Sequence, residues 1–257
     1  MTAWDLNTGP WITRYTPAAP GPGPVQLVCL PHAGGSATFF KPLAAHMPPG
    51  VEVLAAQYPG RQERRNEPCT EDIGALADGI AGALRHLPQG APLALFGHSM
   101  GALVGWEVAR RLETGGHTRP AALIVSGRGA PALHRNAHLG RRTDDELVAD
   151  LTALSGTQAP LLADPGILAM VLPVLRGDYR ALDAYTYRPG VPLRCPVSVF
   201  LGDDDPWARR EDADGWRRET TGETSLRPFP GGHFYLAEQW PAIAAALAGL
   251  LGRVPAS

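Results

Sequence analysis

A buried-looking strand, LALF (residues 93–96), ends in the pentapeptide GHSMG and runs straight into a helical pattern over residues 102–113. Gly97-His98-Ser99-Met100-Gly101 fits G-x-S-x-G, in which a serine sits on a sharp strand-to-helix turn with its hydroxyl lifted clear of the sheet. The two glycines are needed because side chains there would collide with neighbouring backbone across the tight turn. The helix N-terminus beneath the serine adds a partial positive field that favours developing negative charge. Ser99 is therefore read as a nucleophile, and that reading demands alternating strands and helices around it.

The rest of the chain supplies them. VQLVCL (25–30) and VEVLAAQ (51–57) are continuous apolar runs, the pattern of strands buried on both faces. ALIVSG (122–127) and VSVFLG (197–202) read the same way, and SLRPF is a short strand before the last helix. Helical spacing appears over residues 72–87, with Ile73, Leu76, Ile80 and Leu84 on one face, and again over 208–219 and 234–251. Strands alternating with helices predict an α/β fold with a mostly parallel sheet covered on both faces. All 257 residues are read as one domain. Residues 130–190 break the rhythm: they show helical patterns and no strand, and are read as a helical lid inserted into that domain. PAAPGPGP (17–24) is a stiff, irregular lead-in.

Composition excludes several function classes. A net charge of −2 gives no global field for nucleic acid or an anionic membrane. Cys29, Cys69 and Cys195 are too widely spaced for a disulfide framework or a metal site, and Cys29 and Cys195 sit in apolar runs as small buried hydrophobes. The N-terminus has no basic start followed by an apolar stretch, so no signal peptide is expected. AIAAALAGLL near the C-terminus is too short to span a bilayer. The expected compartment is the cytoplasm.

A serine hydroxyl needs a base, and the base needs an orienting acid. On this frame the order along the chain is serine, acid, histidine. Of the eight histidines, only His233, in PGGHFY, lies in a loop after the last predicted strand. Its two preceding glycines allow that loop close to the elbow. The acid should follow a strand and precede His233, and VSVFLGDDDPW offers Asp203, Asp204 and Asp205; order alone does not choose among them. Two backbone N–H groups must face the developing oxyanion. One belongs to Met100, after the nucleophile. The other is expected in PHAGGSATFF (31–40), where small residues admit the substrate, and Ala33 is nominated. No metal or cofactor is required.

PHAGGSATFF, QYPGRQERR (57–65), FGHSMGA, and GDDDP with GGHFY together resemble type II thioesterases, the stand-alone editing hydrolases of polyketide and nonribosomal peptide assembly lines. SGRGAP (126–131) and LPVLRGDYRALDAY (172–185) extend the resemblance through nearly the whole chain. It implies an α/β-hydrolase fold with a helical lid and a triad of Ser99, Asp205 and His233, since the family's acid is the Asp just before Pro. It implies an acyl thioester on the phosphopantetheine arm of an acyl or peptidyl carrier protein, cleaved to clear stalled groups. The implied carrier is acidic, which directs attention to the basic clusters Arg61, Arg64 and Arg65; Arg141 and Arg142; Arg209 and Arg210; and Arg217 and Arg218. Of these, Arg64 and Arg65 have the best claim to carrier docking, because their loop follows a strand parallel to that of Ser99. Asp178 and Tyr179 are candidates for lining the acyl chamber. The competing readings are a general carboxylesterase or lipase, a releasing thioesterase cut from a synthase, and a non-catalytic carrier-binding protein. The set of motifs argues against the first, a chain with its own Met start against the second, and the intact triad against the third.

Overall fold

The computed structural model describes residues 9–16, 25–88, 90–116, 119–155 and 164–253. The lead-in read at 17–24 lies outside them.

Among the described residues, seven strands form one sheet: β1 (Ile12–Arg14), β2 (Val25–Leu30), β3 (Val51–Ala56), β4 (Leu93–His98), β5 (Ala122–Ser126), β6 (Val197–Gly202) and β7 (Thr224–Phe229). Their order is β1-β3-β2-β4-β5-β6-β7. Only β1 is antiparallel, pairing Ile12 with Ala56. The apolar runs make this arrangement possible. Every residue of β4, β5 and β6 is buried, as a sheet covered on both faces requires. The edge strand β7 has an exposed or half-buried residue at five of its six positions.

The helices are α1 (Lys41–His46), α2 (Ile73–Leu84), α3 (Met100–Thr114), α4 (Asp144–Ser155), α5 (Pro165–Ala184), α6 (Arg210–Ala213) and α7 (Trp240–Leu251). On one face, Leu76 and Ile80 of α2 and Val104 and Val108 of α3 pack together with Val28 and Leu95 of the sheet. On the other, Leu43 of α1 and Ile243 and Leu247 of α7 pack on Leu27, Val53 and Phe96. Each fully buried Leu or Ile contributes about 1.5–3 kcal/mol through removal from water.

Four elements differ from the sequence reading. The three-residue β1 and the six-residue α1 were not anticipated, being too short to show a period. The helix expected over 208–219 is one turn, α6, followed by a 3₁₀ segment at Asp214–Arg218. Here Gly215 packs so closely that a Cβ would lie 2.8 Å from the Ala130 side chain. The last helix begins at Trp240 rather than 234, after a 3₁₀ turn, with proline in its first turn. Proline is tolerated there because that N–H has no helical acceptor to lose.

Between β5 and β6 the described residues hold α4, α5 and two 3₁₀ turns. Because β2 to β7 run parallel, the loops after β2, β3, β4, β5 and β6 all open on one edge of the sheet. In such sheets the carboxyl ends of the strands are where ligands bind.

Candidate active site

Ser99 occupies the turn between β4 and α3 with φ 54° and ψ −115°. A non-glycine residue at positive φ is strained and persists only where the surroundings impose it. The Ser99 N–H donates to the Ser126 carbonyl of β5 at 2.8 Å, and its carbonyl accepts from Ala102 N–H at 3.0 Å. The flanking glycines are steric necessities: a Cβ on Gly97 would lie 2.1 Å from the Gly101 carbonyl oxygen, and one on Gly101 2.0 Å from that of Leu30. The chain can turn this sharply only where both lack side chains.

The three consecutive aspartates separate cleanly. Asp205 Oδ2 accepts from His233 Nδ1 at 2.8 Å, and its Oδ1 accepts from the Trp207 N–H at 2.9 Å. Both side chains of the Asp205–His233 pair are withdrawn from solvent. Asp203 instead accepts from the Gly231 N–H at 2.8 Å and pins the turn before His233. Asp204 is exposed, and its N–H donates to the Gly231 carbonyl. With Nδ1 donating to Asp205, the His233 Nε2 is the atom left to accept a proton.

Ser99 and His233 line the same cavity of 430 Å³, together with Ala33, Tyr179, Leu182 and Phe234. They also line a smaller space between the loop after β5 and Trp207. Among the described residues, the N–H groups of Ala33 and Met100 find no acceptor in the protein.

Three sequence candidates take places other than the ones expected. Asp178 does not line the chamber: it is fully buried and receives both arms of the Arg61 guanidinium, at 2.7 and 2.8 Å. It also accepts from the Gly34 N–H at 2.7 Å. Burial opposes the Arg61 charge, but the Asp178 carboxylate outweighs it and raises the arginine above its ordinary pKa. Arg61 is therefore not a surface cation. Arg64 is also buried. Its guanidinium donates to Glu67 at 2.8 and 2.6 Å and to the Gln57 carbonyl, and it lies over the Trp11 ring. Arg65 is exposed, beside a groove between this loop and α5. Tyr179 does line the cavity, and burial raises its phenol pKa.

Sequence reasoning missed five polar residues around the site. His98, the variable position of the pentapeptide, is fully buried, with Nδ1 2.9 Å from Ser126 Oγ, which in turn lies 2.7 Å from the Tyr235 hydroxyl. This chain ties β4, β5 and the turn after His233 together. Burial, then the neighbouring His233 and His32, holds His98 well below the usual histidine pKa. Arg128, in SGRGAP, lines both spaces around Ser99 and donates to His134 Nδ1 at 2.6 Å. Since His134 Nε2 donates to the Leu182 carbonyl, that ring is neutral with its proton on Nε2. Burial lowers Arg128 to about 10. Only pairing across the fold could have exposed these roles.

A mostly parallel sheet with a strained serine after its central strand, and a histidine–aspartate pair from the loops after β7 and β6, is the architecture of the α/β-hydrolases. Within that class the chain belongs to the thioesterase family, whose thioesterase domain matches residues 25–250. It is 47% identical over 243 residues to a protein described as a probable cadicidin biosynthesis thioesterase of Streptomyces griseus, covering 95% of this chain and 66% of that relative. It is 45% identical to thioesterase PikA5 of Streptomyces venezuelae, covering 92% of this chain and 83% of the relative. Among solved structures it resembles BorB, a type II thioesterase from the borrelidin biosynthetic cluster. The TM-score is 0.86 and the identity 48%, with 94% of this chain and 97% of that one covered. Among the described residues, no helix is long and apolar enough to cross a membrane.

Proposed function

We propose that this thioesterase hydrolyses acyl groups from the phosphopantetheine arm of acyl or peptidyl carrier proteins, restoring the carrier thiol when an assembly line stalls. The observation that carries the reading is the strained Ser99 sharing one cavity with His233, whose Nδ1 is held by Asp205. The relatives' place in biosynthetic clusters supports the carrier-bound substrate.

In this reading His233 Nε2 takes the proton as Ser99 Oγ attacks the thioester carbonyl. The oxyanion rests on the N–H groups of Ala33 and Met100, with the α3 N-terminus adding favourable field. His233 then supplies its proton to the departing thiol of the carrier arm, leaving an acyl-serine. Water, activated by the same Nε2, attacks that ester, and Ser99 recovers its proton as the acid leaves. Asp205 holds the ring's tautomer throughout and stabilises the imidazolium. The 130–190 segment acts as a lid, with Tyr179 and Leu182 of α5 facing the acyl chain. Arg65, the exposed member of its pair, remains the docking candidate for an acidic carrier; Arg64 is engaged elsewhere.

The test is mass spectrometry of an acylated carrier protein incubated with the enzyme, beside the matching acyl-coenzyme A and a simple ester. Fast loss of the acyl group from the carrier, abolished by Ser99→Ala, supports the reading. Rapid cleavage of the simple ester with the carrier untouched overturns the carrier assignment.

A further inference from the structure

We propose that the buried Arg61–Asp178 pair is a positioning device for the oxyanion hole, through which helix α5 sets the backbone donor on Ala33. This rests on the reading of Ser99 and Ala33 given above.

The Asp178 carboxylate holds two segments at once. Its Oδ2 accepts from both Arg61 Nη1 and the Gly34 N–H, each at 2.7 Å, and its Oδ1 accepts from Arg61 Nη2 at 2.8 Å. Gly34 directly follows Ala33. Arg61 Nη1 also donates to the Gly35 carbonyl at 3.0 Å. On the other side of Ala33, the Tyr58 hydroxyl donates to the Pro31 carbonyl at 3.2 Å, and the Arg61 guanidinium lies 5.2 Å from the Tyr58 ring centre. The peptide carrying the Ala33 N–H is thus bracketed on both sides by one connected group. Gly34 adopts φ +76° and faces Leu175 of α5 so closely that a Cβ would lie 3.3 Å from the leucine Cδ1.

Stability alone is a weak reason for such a pair. Burying two charges is costly, and apolar residues of similar size often serve a core equally well. What apolar residues could not supply are directional bonds to the Gly34 N–H and the Gly35 carbonyl. Those bonds fix the loop where small displacements matter, since a shift of about 1 Å in a reacting geometry costs about 10²-fold in rate. The adjacent residue, Tyr179, lines the cavity around Ser99. Of two consecutive residues of α5, Tyr179 therefore lines the cavity and Asp178 holds the oxyanion loop.

The decisive variant is Arg61→Gln with Asp178→Asn, which removes both charges together, so that neither is left buried without its counter-charge, and takes away the two-armed grip. Arg61→Lys keeps the charge balance but loses the two-armed grip, and serves where the double variant does not fold. Each is assayed with an acyl-N-acetylcysteamine thioester for kcat and KM, by thermal melting, and for inhibition by an alkyl boronic acid, which forms a tetrahedral anion on serine. The expected result is a kcat lower by about 10- to 100-fold, a KM within about 3-fold, and boronate affinity weakened in parallel with kcat/KM. A folded variant with kcat and boronate affinity within about 2-fold of the parent, and only its Tm lowered, would overturn the proposal. Ser99→Ala separates the two ideas. If it still hydrolyses the thioester, the nucleophile reading fails; if it is inactive while a clamp variant keeps full kcat, only the positioning role fails.

Discussion

The Asp205 carboxylate lies 2.8 Å from His233 Nδ1, whereas Asp203, two residues earlier, binds the Gly231 N–H and never meets the ring. Neighbouring identical side chains on one turn thus have different work. Asp205→Asn is expected to lower kcat by about 10⁴-fold with little change in Tm, because the amide favours the wrong histidine tautomer. Asp203→Asn is expected to keep kcat within a few-fold. Steady-state hydrolysis of a small thioester decides it, and the reverse ranking of the two variants would displace Asp205.

An elbow glycine and a helix glycine four residues on predict opposite outcomes. Gly101→Ala pushes a Cβ into the Leu30 carbonyl oxygen, where backbone cannot yield, and should cost upwards of about 3 kcal/mol or prevent folding. At Gly105, within α3, a Cβ meets only the Leu30 and Leu123 side chains at 3.4 and 3.5 Å. Gly105→Ala should be neutral or stabilising by up to about 1 kcal/mol, from helix propensity. Urea denaturation of both variants reads the contrast, and equal destabilisation would count against the packing described.

Arg64 and Arg65 are expected to separate stability from recognition. Arg64→Ala removes charged hydrogen bonds to Glu67 and a bond to the Gln57 carbonyl, so a loss of about 1–3 kcal/mol should follow. Arg65→Ala should change stability by less than about 0.5 kcal/mol. If carrier proteins dock here, Arg65→Glu raises KM for an acylated carrier while leaving a small thioester unaffected. Equal KM values for parent and variant on the carrier remove Arg65 from the docking surface.

His98 makes folding stability sensitive to mild acid. Burial lowers its folded pKa below the unfolded value of about 6.5, so the unfolded chain binds more protons. Its stabilising effect is complete above about pH 6.5 and is lost as pH falls, at about 1.4 kcal/mol per pH unit. His32, pushed down to about 3 by burial and then by His233 and Arg61, adds to the same window. Stability measured by urea at about pH 7.5 and about pH 5.5 should fall with acid, and His98→Gln should flatten the slope. An unchanged slope in the variant would show that His98 is not buried neutral.

Much of the frame was legible along the chain because its cause is local. Continuous apolar runs announced β2 to β6, since a strand covered on both faces tolerates few polar residues. The G-x-S-x-G turn announced itself because only glycine fits where backbone meets backbone. Short elements escaped: β1 and α1 have too few residues for a period, and α6 stops where Gly215 packs against Ala130.

Residue order and burial pattern were enough for the parallel sheet, the position of Ser99 at its edge and the loop that carries His233, because steric demand and burial act residue by residue. They narrowed the acid to three aspartates and could go no further. Folding in three dimensions separated Asp205 from Asp203, turned Arg64 inward against Trp11, and joined Asp178 to Arg61 across 117 positions of chain. Hydrogen bonds and ion pairs depend on where two side chains end in space to within a few tenths of an ångström. That position is fixed by the packing of the whole fold and leaves no mark in the spacing of residues along one strand or helix.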